Sequence, residues 1–140
     1  MRIVPIILLI GLLICISFSP LRAESEAEKA AVSAAQTWLA LTDDGSYAGS
    51  WNEASGYFRG AVTEQSWEAS MEGFRKPLGR LVMRRLIKTQ SSTSLPGAPD
   101  GRYVVILFET SFEKKKFAIE TVTCTWEKDG KWRAAGYFIR

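Results

Sequence analysis

The apolar residues of this chain repeat every three to four positions up to about Gly79 and every second position after it. That change of period confines the fold to helices followed by strands. Ala27, Ala31, Ala34, Trp38 and Thr42 recur at helical spacing, with Ala30, Ala35 and Leu39 widening the stripe. They predict one amphipathic helix over 24–42, stopped at Asp43-Asp44-Gly45. Ser25 and Glu28 have the spacing of a capping box at its start. Tyr47, Trp51, Ala54 and Phe58 mark a second, shorter helix weakened by Gly49 and Gly56. Thr63 reads as the cap of a third, with Val62 and Trp67 placed for a hydrophobic staple and Pro77-Leu78-Gly79 closing it.

Strands are expected over 80–90, 102–112, 117–127 and 131–140, with a turn-rich link over 91–101. The fold class is therefore α+β: two to three N-terminal helices on one face of a curved, roughly four-stranded antiparallel sheet. Asp129-Gly130 suits a two-residue hairpin turn, which would pair Trp126 with Arg133, Cys124 with Ala135 and Val122 with Tyr137. Trp132, Gly136 and Phe138 would then share the sheet face away from the helices with Thr121, Thr123 and Thr125. Tyr103, Val105 and Leu107 would join them and make an apolar patch suited to association.

The N-terminal segment has the layout of a secretory signal over 1–23, leaving a single domain over 24–140. Met1-Arg2 is followed by an apolar run from Ile6 to Phe18, then Pro20 and Ala23. The run is shorter than the roughly 20 apolar residues a membrane span requires. Cys15 as a lipidation site would want Gly, Ala or Ser before it, where Ile14 stands. Arg2 and Arg22 would leave with the signal and no acid would. Of 18 basic and 15 acidic residues, 16 and 15 would remain, a net charge of +1. The overall pI near 9.0 is thus no sign of nucleic-acid binding. Cys124 would be the one thiol of the mature chain, expected buried and inert between Val122 and Trp126.

No histidine is present, which excludes Ser-His-Asp and Cys-His catalysis and His-ligated zinc or haem. No cofactor and no catalytic or metal-binding residue is expected. Arg75, Arg84 and Arg85 suggest an anion-binding rim; the alternatives are that they are surface charges, or that one of them neutralises Glu120. A two-residue turn at Lys114-Lys115 would set Glu109 opposite Glu120 as a carboxylate pair able to move a proton. A three-residue turn, Lys114 to Lys116, would pair Thr110 with Glu120 and Phe108 with Val122 instead. It places Val104, Ile106, Phe108, Val122, Cys124 and Trp126 on one face, and this better segregation favours it. The aromatics Tyr47, Trp51, Trp67, Tyr103, Trp126 and Tyr137 read first as core and second as a ligand cleft.

The chain resembles a bacterial family of secreted proteins catalogued as domain of unknown function 4019. The resemblance rests on Trp38-Leu39-Ala40-Leu41, Gly45, Tyr47, Ser50-Trp51, Trp67 and Arg75-Lys76-Pro77-Leu78-Gly79. It continues through Leu95 to Gly101, Glu120-Thr121-Val122-Thr123, and Asp129 to Arg133 with Gly136-Tyr137. It implies a bacterial, periplasmic protein and brings no activity, substrate or site residues. The helix-then-sheet order also looks like the cystatin-like and nuclear-transport-factor-like folds, an analogy of fold alone. The functional expectation is an exported, non-enzymatic module that binds an envelope protein or a small ligand, or pairs with itself. Arg75, Arg84, Glu120, Tyr103, Val105, Leu107 and Trp132 are its candidate contact residues. Neither nucleic acid nor, after cleavage, membrane is an expected partner. The alternatives are a small-pocket isomerase or cyclase with Glu120 or Glu109 as base, and a purely structural envelope protein.

Overall fold

Alanine-rich sequence with few β-branched residues sustains a long first helix, α1, over Pro20–Asp43. The computed structural model describes residues 19–140, so the apolar run Ile6 to Phe18 and Cys15 lie outside the described residues. Proline stands at the first helical position, where its missing N–H costs nothing. The helix therefore begins upstream of the expected capping box. With its neighbours' N–H groups already inside the helix, Glu28 reaches out to strand hydroxyls: Thr89 and Ser91 donate to its two oxygens at 2.7 and 2.8 Å. At the other end Gly45, at φ +76°, closes the helix. Ser46 N–H donates to the Leu41 carbonyl and Gly45 N–H to that of Thr42, at 2.9 and 3.2 Å, a Schellman stop.

The expected second helix is two: α2 over Tyr47–Glu53 and α3 over Gly56–Ala61. Ser55 separates them because its hydroxyl accepts the Phe58 N–H at 3.1 Å and starts a new helix there. Thr63 caps α4, Glu64–Phe74, in the expected way, accepting from Ser66 N–H at 3.1 Å. A short 3-10 turn over Lys76–Leu78 leads to the sheet.

The sheet is an antiparallel meander in the order β1-β2-β3-β4, over Leu81–Ser92, Tyr103–Phe112, Lys115–Trp126 and Trp132–Ile139. Both outer strands are interrupted. In β1 the register slips at Val82 and Ile87, and in β4 at Ala135. Among the described residues four α-helices and four strands make the α+β fold. Ala31, Ala35, Trp38 and Leu39 of α1 meet Val104, Ile106, Phe108, Val122 and Cys124 of the sheet in one core.

The register differs from both readings of the central hairpin. Phe108 lies opposite Glu120, Ile106 opposite Val122 and Val104 opposite Cys124. The connecting turn is Glu113-Lys114, with Phe112 paired to Lys115. Glu113 is drawn there because its carboxylate accepts from the N–H and guanidinium of Arg80, at 3.0 and 2.8 Å. The shift from the favoured three-residue register is two positions, so the face assignment survives while the pairing does not. The last hairpin is corrected too. Glu127 N–H donates to the Lys131 carbonyl across a three-residue loop ending on left-handed Gly130, at φ +79°. Trp132 then pairs with Trp126 and Ala134 with Cys124, and the slip at Ala135 restores the expected Val122–Tyr137 pair.

Candidate functional site

The helical and strand ends converge on a buried group of charges. Asp43 closes α1, Arg75 follows α4, and Arg84, Thr110, Glu120 and Tyr137 come from the four strands. Arg84 holds the group together: Nη1 and Nη2 donate to the two Asp43 oxygens at 2.7 and 2.9 Å, and Nε donates to Glu120 Oε1 at 2.7 Å. Thr110 Oγ1 donates to the same Glu120 oxygen at 2.6 Å, and Tyr137 OH donates to the other. Arg75 donates to Asp43 at 3.2 Å and to the Gly79 carbonyl at 2.7 Å. Its guanidinium lies 4.3 Å above the Phe112 ring, whose π face attracts its charge, while its Nε has no hydrogen-bond acceptor among the described residues.

Two cations and two carboxylates thus cancel within the protein. Burial opposes the Arg84 charge, but its hydrogen bonds to Asp43 and Glu120 hold it protonated beyond the ordinary arginine range. Tyr137 is pushed well above the usual phenol value, first by burial and then by the Glu120 charge. Of the readings of these arginines, the internal pair is the one seen for Arg84, which neutralises Glu120. Both Glu120 oxygens are engaged and the residue is 0 % exposed, so neither faces a cavity. Glu109 sits on the opposite face, opposite Ile119 and paired with Arg85. The carboxylate pair is absent.

The far sheet face carries half-buried Val105 and Leu107 beside exposed Phe117 and Phe138. Tyr103 shares it but is buried: the 93–101 link folds over it, and its OH donates to the Pro99 carbonyl. Trp132 is corrected to the helix side, where its ring stands edge-on to Trp126 at 5.4 Å and Arg102 lies over both. The three-residue loop explains this, since a one-residue slip turns a side chain to the other face.

Cys124 is fully buried, with Sγ 3.7 Å from the Ala31 carbonyl oxygen, and burial pushes its pKa from 9.0 up to about 12. The folded thiol therefore keeps its proton where the unfolded one loses it. This contribution to stability is complete below pH 9 and is lost as pH rises toward 12, up to about 4 kcal/mol. Urea melts between about pH 8 and pH 11 are expected to show a decline that Cys124→Ala partly flattens.

A different feature faces solvent. The indole of Trp67 donates to Ser50 Oγ at 2.9 Å and meets the Phe58 ring edge-on at 5.0 Å. Phe58, Val62, Trp67 and Phe74 form one wall of an open apolar groove of about 700 Å³, and the residues from Ala135 to Arg140 form the other. Phe74 is 41 % exposed and Phe138 58 %. β4 is an outer strand here, and among the described residues the backbone of its outer rim is hydrogen-bonded only at its start, where Ser55 N–H donates to the Ala134 carbonyl at 2.8 Å. The groove escaped the sequence reading because its walls come from three separate elements. Phe138 lies on the far face as expected and borders the groove only along the β4 edge. Among the described residues no cluster of His, Cys, Asp and Glu fits a metal ion, and no helix is long and apolar enough to cross a membrane.

A family model described as "Protein of unknown function (DUF4019)" matches residues 34–137. No curated protein and no solved structure matches the chain.

Proposed function

Since the chain belongs to the DUF4019 family of proteins of unknown function, membership brings no activity with it, and we propose that it is an exported binding module whose apolar groove between α3, α4 and β4 receives a partner. The observation that supports this reading is the contrast between the two candidate sites. The charged cluster is internally neutral, with every carboxylate oxygen engaged, whereas Tyr57, Phe74 and Phe138 along the groove stand exposed to water. Exposing such surface is unfavourable unless a partner covers it. Export follows the charge, apolar run and small-residue order at the N-terminus.

An anionic naphthalene dye tests the groove. Its fluorescence is expected to rise on the folded protein and to fall at least fivefold in Phe74→Glu, with the melting temperature unchanged. Undiminished dye binding by that variant would remove the groove from consideration. N-terminal sequencing of protein recovered outside the cytoplasm tests export, with a start near Glu24 expected and an intact Met1 contradicting it.

A further inference from the structure

The groove has a polar rim that a small apolar ligand would leave unused. Ile119 and Arg140 exchange both backbone hydrogen bonds, at 2.8 and 3.0 Å, so they form a hydrogen-bonded pair of the ladder. In an antiparallel ladder such pairs alternate with pairs whose N–H and C=O groups point away from each other. Ile139 opposite Glu120 and Tyr137 opposite Val122 are the outward-pointing ones. Their backbone groups therefore line the free rim of β4, with no backbone partner among the described residues. Past the end of this rim stand Lys115 and Arg140; among the described residues neither is in an ion pair and no acid lines the groove.

We propose that the occupant is an extended segment of a partner polypeptide, added to β4 as a fifth strand, apolar at alternate positions and acidic at the end that passes Ile139. The inference rests on the groove reading above and deepens it. A strand laid along Tyr137 and Ile139 satisfies four backbone groups at once, as strand addition does elsewhere. Its alternate side chains drop between β4 and the Phe58, Trp67 and Phe74 wall. Its acidic end meets Lys115 and Arg140, which fixes its direction along the rim. The Ser55 hydrogen bond to Ala134 limits the pairing to the stretch from Gly136 onward.

The test uses a fluorescein-labelled peptide of alternating valine and threonine that ends in two glutamates, followed by anisotropy. Two controls are the same peptide ending in lysines and one N-methylated at alternate amides on its pairing edge. The acid-ended peptide is expected to bind at least tenfold more tightly than either. Ile139→Pro removes an outward N–H without touching the ladder and is expected to weaken binding at least tenfold. Lys115→Glu is expected to invert the preference between acid and lysine ends. Equal binding of the N-methylated peptide overturns the proposal, and that comparison leaves the protein untouched should Ile139→Pro disturb folding. A dimer in sedimentation that Ile139→Pro dissolves makes a second copy the occupant and also overturns it. If the naphthalene dye binds at the groove but no peptide does, the strand proposal fails while the groove reading stands. If neither binds, both fail.

Discussion

Arg84→Met is expected to lower stability by about 3–5 kcal/mol, measured by urea unfolding near neutral pH. The methionine fills much of the same space but leaves Glu120, fully buried, with only Thr110 and Tyr137 as donors. Asp43 would keep Arg75 alone. The cost is that of an uncompensated carboxylate inside the protein, which exceeds the value of any exposed ion pair. Arg84→Lys carries the charge but not the fork that spans Asp43 and Glu120, and its loss should lie between the two. Adding Glu120→Gln to Arg84→Met removes the stranded charge while keeping an acceptor for Thr110. That pair should be more stable than Arg84→Met alone. A loss under about 1 kcal/mol for Arg84→Met would mean that water already reaches Glu120.

Trp67→Ala is expected to cost a similar amount, about 3–5 kcal/mol, for a different reason. The indole packs against Trp38 at 6.0 Å, Phe58 at 5.0 Å and Tyr137 at 6.4 Å. It also supplies the donor for Ser50 Oγ. Removing it opens a cavity among rings held by several elements, which cannot close over the space. Trp67→Phe retains most of the packing and should cost under half as much. Thermal melts of the two variants check the ordering, and equal losses would place the weight on the Ser50 hydrogen bond.

The elements that could be read from the chain are those set by local periodicity. The stripe of Ala31, Ala35, Trp38 and Leu39 and the Thr63 cap needed no distant partner. The inward set of the central strands, Val104, Ile106, Phe108, Val122 and Cys124, survived a misjudged register because an even shift preserves the face. Trp132 did not survive, since one added loop residue is an odd shift. That one of Arg75, Arg84 and Arg85 could neutralise Glu120 was legible from their charges, but not which of them. Asp43, which joins Arg75 and Arg84, looked only like the end of a helix. Its role depends on where α1 stops relative to β1, and sequence spacing does not encode that separation. The groove was illegible for the same reason.

The slips at Val82 and Ile87 bear on how this protein behaves in company. β1 is twelve residues long, lies at the open side of the sheet and exposes Val82, Met83, Leu86 and Ile87. An edge of that kind invites copies to stack into fibrils. Stacking requires an unbroken register over about six or seven residues. The two slips divide β1 into Met83–Leu86 and Lys88–Ser92, each shorter than that, and Arg84, Arg85 and Lys88 stud the pieces with charge. The irregularities that look like flaws in the ladder keep the molecule from becoming a template for its own aggregation.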